Sequence, residues 1–152
     1  MVDVSAKPVT SREAIARGAV RMRAATLAAI AAGTLPKGDA LVVARLAGIM
    51  AAKRTSDLVP LCHSLALDHV DVQLRPDPAA GRVHIESHVR ARGRTGVEME
   101  ALTAVVAAGL ALYDMCKAVD RDMVLEEVCL VFKRGGRRGS YRRSVSPRAA
   151  AR

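Results

Sequence analysis

Along this 152-residue chain, stretches with apolar residues at helical spacing give way to stretches in which every second residue is apolar. Met1 to Pro8 sets Val2 and Val4 against Asp3 and Ser5 and reads as a short extended segment. Thr10 or Ser11 is placed to cap a helix that starts near Arg12 or Glu13, runs through REAIARGAVRMRAATLAAIAA and stops at Gly33. Ile15, Val20, Met22, Leu27 and Ile30 supply its apolar residues, while Arg12, Arg17, Arg21 and Arg23 face other ways. Asp39 is a second N-cap candidate, ahead of a mostly apolar helix from Ala40 to Lys53. Ser56, Asp57 and Pro60 break the pattern between Thr55 and His63.

From Leu65 the period drops to two, through Leu67, Val70, Val72 and Leu74, which predicts a strand with a bulge near His69. A turn over Pro76 to Gly81 and a second alternating run, Arg82 to Arg92, complete an antiparallel hairpin. Thr95 to Val119, TGVEMEALTAVVAAGLALYDMCKAV, reads as one long helix, apolar on nearly all sides and therefore buried. Val124 to Phe132 is a final strand. Two helices, two strands, a helix and a strand predict an α+β fold with helices packed on a mainly antiparallel sheet.

Composition narrows the picture. Hydrophobic residues make up 51% of the chain, enough for a globular core. With two Tyr, one Phe and no Trp, the core must be aliphatic, and exposed rings for stacking nucleic-acid bases are lacking. The formal net charge of +9 belongs to the C-terminus. Residues 133–152 hold 8 Lys and Arg and no acid, whereas residues 1–132 hold 16 basic and 15 acidic side chains. The pattern predicts a single catalytic domain over residues 1–141 and a basic, disordered tail over 142–152. Arg134 to Gly139, RGGRRG, offers the rival reading of an RNA-binding segment acting through that tail; nucleic acid is not the partner favoured here. Three cysteines, Cys62, Cys116 and Cys129, form no CxxC pair and point to free thiols in a reducing cytoplasm. No apolar run reads as long enough to span a membrane, and the N-terminus has no apolar signal core.

The long helix carries Glu98 and Glu100 at one end and Asp114 and Lys117 at the other. Charges on a buried helix are costly unless paired or used. At 100° per residue, Glu100 and Asp114 point within about 40° of one direction, in a stripe with Thr103, Ala107, Leu110 and Lys117. They lie roughly 21 Å apart along the axis, so one compact site holding both would need the second from another chain. The bland alternative makes Asp114 and Lys117 a solvated ion pair at a helix end. His63, after Pro60-Leu61-Cys62, sits at a helix-to-strand junction where functional loops concentrate, although a structural histidine fits there too. Adjacent Cys62 and His63 are a poor chelating pair, and His84 and His88 would be ~13 Å apart on a strand, so no metal is assigned. Lys37, in a loop before a helix start, suits a phosphate; Lys53 and Arg54 close a helix. With Lys7, Arg12 and Lys117 they could surround a polyphosphate, although each singly is more often a solvated charge.

Together MVDVSAK, KGDALVVARLAGIMAAKRTSDLVPLCH and TGVEMEALTAVVAAGLALYDMCKAV resemble the cyclic pyranopterin monophosphate synthase family, the C protein of molybdenum cofactor biosynthesis. The resemblance runs from Met1 to about Tyr141 and rests on several long motifs in order. It implies a ferredoxin-like fold, a homohexamer built as three dimers with sites between subunits, and no metal or organic cofactor. The implied reaction converts a cyclised GTP, (8S)-3′,8-cyclo-7,8-dihydroguanosine 5′-triphosphate, to cyclic pyranopterin monophosphate and diphosphate. By the same resemblance Asp114 and Lys117 are catalytic, and Leu61, Cys62, His63, Met99 and Glu100 contact substrate. Lys37 and Lys53 match further pocket lysines, and Arg12 a phosphate-side arginine. Family members usually carry additional residues ahead of MVDVS, and often Trp where Ser56 stands and Pro where Ser64 stands.

Overall fold

The computed structural model describes residues 1–137 and 139–144. Its elements are β1 (Thr10–Arg21), α1 (Ala24–Ala32), α2 (Ala40–Ala52), the single turn α3 (Thr55–Leu58), β2 (His69–Asp77), β3 (Arg82–Gly93), α4 (Glu98–Cys116), β4 (Val124–Arg134) and the short β5 (Tyr141–Arg142). The strands form one open antiparallel sheet in the order β2-β3-β1-β4-β5. Helix α4 lies across β1, β3 and β4, and α2 lies beside it against β2. This is the expected α+β architecture, with ferredoxin-like packing of helices on one face of an antiparallel sheet.

The largest departure from the sequence reading is at residues 12–21. The helix expected from Arg12 to Gly33 is a helix only over Ala24–Ala32, and Thr10 and Ser11 open a strand instead of capping it. β1 is the central strand, paired with β3 on one side and β4 on the other. Its period is two: Arg12, Ala14, Ala16, Gly18 and Val20 are buried toward the helices, while Arg17 and Arg21 point to the open face. There they pair with Glu86 at 2.5 Å and Glu126 at 3.3 Å. Alanine favours helices intrinsically, but its small side chain also lets α4 approach a central strand closely, and packing overrides propensity.

Smaller corrections follow the same logic. The N-terminal segment is not extended throughout, because Lys7 N donates to Val4 O (3.0 Å) and Ser5 N to Asp3 Oδ1 (2.8 Å) in a turn. β2 begins at His69, without a bulge there; Leu65 and Leu67 belong to the preceding connection and pack on the core edge. The register irregularities fall instead between β1 and β4, where Glu127 takes a φ of 56°. Asp39 caps α2 as expected, accepting from Leu41 N and Val42 N at 3.0 Å each.

The core is aliphatic, built from Val20, Val72, Val83, Ile85, Val89, Val105 and Leu112 with many alanines. Small residues allow α2 and α4 to touch by their backbones. A Cβ on Gly48 of α2 would lie 2.8 Å from Ala104 O of α4, so only glycine fits that crossing. Helix α4 is not buried on all sides in the single chain. Val106 and Leu110 on α4, with Val42, Val43, Leu46 and Met50 on α2, form an exposed apolar face. By length and composition α4 is also long and apolar enough to cross a membrane, which corrects the sequence reading; half of that stretch is buried. Residues 145–152 of the basic tail lie outside the described residues.

Candidate active site

Two groups of polar side chains sit at the two ends of α4. At its N-terminal end the connection after α3 folds over the helix and places Cys62 Sγ 3.8 Å from Glu100 Oε1. Glu100 is 3% exposed, and its Oε2 is buried without a hydrogen-bond partner among the described residues. Burial pushes its carboxyl above the usual range, with the nearby Glu98 charge adding to the effect against the hydrogen bonds that oppose it. Burial also raises the Cys62 thiol, and the Glu100 charge raises it further. His63 Nε2 lies 2.9 Å from Val2 O, so the N-terminal segment orients its ring.

These residues border a cleft of about 970 Å³ that takes in Arg12, Leu61, Cys62, His63 and Met99. Five of the ten positions singled out from the sequence therefore share one cavity, and Glu100 lies beside it through Cys62. Arg12 is 8% exposed at the start of β1, where its Nε donates to Gly93 O at 3.1 Å. The cleft also holds Arg94 and Lys133, which the sequence reading missed, and Arg137, which it had read only as part of an RGG-like segment. They were hidden because β1 had been read as a helix. Only its pairing with β3 and β4 brings the ends of those two strands together beside Arg12.

At the C-terminal end of α4, Asp114 is held between two lysines. Lys37 Nζ lies 2.6 Å from Asp114 Oδ2, and Lys117 Nζ 2.7 Å from Asp114 Oδ1. Lys37 comes from the loop before α2, and Lys117, three residues after Asp114, is the C-cap of α4. The hydrogen bond from Lys117, then that from Lys37, draws the Asp114 carboxyl down to about 2. The carboxylate is thus ionised at neutral pH, and the group as a whole carries one excess positive charge. The solvated helix-end pair of the bland reading becomes a three-residue constellation joined across 77 residues of sequence.

The expected common stripe holds only in part. Asp114 and Lys117 lie on the exposed side of α4, whereas Glu100 is covered by the Cys62 loop. The two groups remain separated by 14 residues of helix, roughly 21 Å. Lys53 joins neither group; it borders a separate shallow depression with Ile49, Leu65 and His69. Among the described residues no group of three or more His, Cys, Asp or Glu gathers where a metal could be held.

Comparison with known proteins places this arrangement. Residues 1–136 match the family described as the MoaC family. A cyclic pyranopterin monophosphate synthase of Chloroflexus aurantiacus is 61% identical over 143 residues, which is 94% of this chain and 88% of that protein. Proteins of the same name from Chloroflexus aggregans and Rhodospirillum rubrum are each 60% identical, over 96% and 93% of this chain and 88% and 85% of their own lengths. A family match over nearly all the described residues and relatives at this identity leave one conclusion: the chain belongs to the MoaC family.

Proposed function

We propose that the chain is a cyclic pyranopterin monophosphate synthase, a phosphorus–oxygen lyase of molybdenum cofactor biosynthesis acting in the cytoplasm. Its substrate is (8S)-3′,8-cyclo-7,8-dihydroguanosine 5′-triphosphate, and its products are cyclic pyranopterin monophosphate and diphosphate. The observation that carries this reading is the Asp114 carboxylate clamped by Lys37 and Lys117. Forming the pyranopterin ring requires C–N and C–C linkages to open and reclose, with protons moved in both directions. A lysine ammonium held against a fixed carboxylate can deliver and accept such protons. Asp114 orients Lys117 and keeps the lysine pair close, and the residual positive charge attracts a polyanion. The cyclic phosphate forms when a sugar hydroxyl attacks the α-phosphate, and cations stabilise the departing diphosphate. Leu61, Cys62, His63, Met99 and Glu100 contact the substrate, Arg12 its phosphates, and Lys53 enters from another part of the assembly.

One chain cannot bring both ends of α4 to one small molecule across roughly 21 Å. The complete site therefore combines the Glu100 end of one chain with the Asp114 end of its neighbour, in a homohexamer of three dimers. The exposed apolar face of α2 and α4 supports such contacts, since a patch of this kind marks an association surface. Incubating the protein with the cyclic triphosphate, and following pterin by chromatography alongside pyrophosphate release, tests the activity. One pyrophosphate per pterin is expected. Unchanged substrate after prolonged incubation overturns the reading.

A further inference from the structure

Lys37 and Asp114 meet in the open, with 42% and 52% of their side-chain surfaces exposed. An exposed ion pair gains little in water and gives up the rotamer freedom of a long lysine stem. Such a pair is too weak to hold a loop in place, so the loop has to deliver the lysine. Yet Lys37 Nζ lies 2.6 Å from a carboxylate 77 residues away in sequence.

The connection from α1 to α2 has a fixed backbone at each step. Gly33 ends α1 in the left-handed region, and Thr34 N closes the helix end on Ala29 O at 3.1 Å. Leu35 is buried and anchors the loop to the core. Its carbonyl accepts from Gly38 N at 3.0 Å, closing a turn with Pro36 and Lys37 at the two central positions. Gly38, with a φ of 88°, then redirects the chain into α2. Asp39 ends the loop with a double cap, its Oδ1 accepting from both Leu41 N and Val42 N. From that point the path to Asp114 is rigid. Ala40 and Ala44 are buried, and Gly48 sets α2 directly against Ala104 of α4, the helix that carries Asp114. Among the described residues Asp39 forms no ion pair, so its action runs through the backbone rather than through charge.

We propose that Asp39 is a positioning residue for the group at the C-terminal end of α4: by capping α2 it locks the turn that presents Lys37 to Asp114. The effect on turnover rests on the function proposed above; the placement of Lys37 rests on the loop alone. Without the cap, two amide donors at the start of α2 go unanswered, the first turn frays, and Gly38 leaves the freed segment a wide range of conformations. Lys37 lies two residues upstream and loses its fixed position with them. Asp114 then keeps only Lys117, its neighbour at the end of the same helix. A displacement of about 1 Å in a reacting group is enough for a large loss of rate.

The test uses the full-length protein and separates cap from charge. Asp39→Ala removes both, whereas Asp39→Asn keeps an acceptor oxygen and with it the cap. Asp39→Gly is the third variant, because glycine at an N-cap leaves the helix nearly as stable while removing the side-chain lock. In crystal structures at neutral pH, Lys37 should leave Asp114 in the Ala and Gly variants and stay within hydrogen-bond distance in Asp39→Asn. With the cyclic triphosphate as substrate, the Ala and Gly variants should lose about tenfold in kcat/KM, and Asp39→Asn less than about threefold. Adding Lys37→Ala to Asp39→Gly should lower kcat/KM no further than Lys37→Ala alone, because the aspartate acts through the lysine. A residue that only stabilised α2 would give additive losses, and additive losses overturn the proposal. So does Lys37 still held at Asp114 in Asp39→Gly, or an Asp39→Asn protein as impaired as Asp39→Ala. The crystal structures need no turnover, so the two readings fail separately. A displaced lysine in a protein whose wild type forms no pterin sinks the functional reading alone, and pterin formation with Lys37 unmoved sinks this inference alone.

Discussion

A carboxylate held by two ammonium groups keeps its charge through the whole neutral range, and Asp114, drawn down to about 2, is in that condition. On the function proposed, its contribution to catalysis is positional as much as acidic, because it fixes Lys117 and Lys37 relative to each other. Lys117→Ala should lower kcat by about 10²–10⁴-fold, the usual contribution of a general acid or base. Its melting temperature should stay near the wild type's, since an exposed side chain is removed. Asp114→Asn should behave similarly, and near-normal pterin production by either variant would falsify the assignment. Glu100 is the opposite kind of carboxyl. Burial raises it above its unfolded value, so the folded state favours the protonated form. That contribution is present below the unfolded value and is lost as pH rises through the folded one. Glu100→Gln removes the loss. Its melting temperature should therefore exceed wild type's at pH 8 and converge with it near pH 4, while substrate binding falls. A variant less stable than wild type at pH 8 contradicts this account.

Between elements, Asp120 ties the end of α4 to the start of α1. Its buried carboxylate accepts from Arg23 N (3.0 Å), Thr26 Oγ1 (2.9 Å) and Asp122 N (3.2 Å), and Arg23 Nε lies 3.1 Å away. Burial pushes this carboxyl up, but the hydrogen bonds and the Arg23 charge outweigh it, and the net shift is downward. The sign is the reverse of Glu100's. The stabilisation is present above the unfolded value of about 3.9 and disappears as pH falls through the folded one. Asp120→Ala strands the buried Thr26 hydroxyl and two part-buried backbone donors and should destabilise the fold by about 3 kcal/mol at pH 7. Denaturant melts at pH 7 and below pH 3 check it: the difference should shrink at the acid end. A constant difference across that range would show that lost packing, rather than charge, is responsible.

At the scale of the whole molecule, the separation of the two polar groups and the apolar face of α2 and α4 make one expectation. On the function proposed, active protein should be an assembly in which each site draws on two chains. Leu46 and Leu110 are both more than half exposed in the single chain. Leu46→Asp/Leu110→Asp should reduce the mass seen by light scattering and abolish turnover while the monomer stays folded. Glu100→Ala and Asp114→Ala subunits, each inactive alone, should recover part of the activity when exchanged into mixed assemblies. Inactive mixed assemblies of verified composition would favour sites contained within one chain.

Much of this was legible in the linear chain. The β2–β3 hairpin, α2 with its Asp39 cap, α4 and β4 follow from local periodicity and capping, which are short-range physics. The polar ends of α4 were visible because charge interrupting an apolar helix is costly. The sequence by itself thus determined the fold class, the amphipathic elements and the residue types available for chemistry. Tertiary structure decided the rest. Residues 12–21 became the central strand because Ala14, Ala16 and Gly18 leave room for α4, a preference set by neighbours rather than by the segment's own propensity. Lys37 met Asp114 across the fold, Glu100 was buried by a loop 38 residues away, and the ends of β3 and β4 gathered cations around Arg12. Each of these depends on which distant segments share a surface, and spacing along a chain carries no record of that until the sheet is assembled.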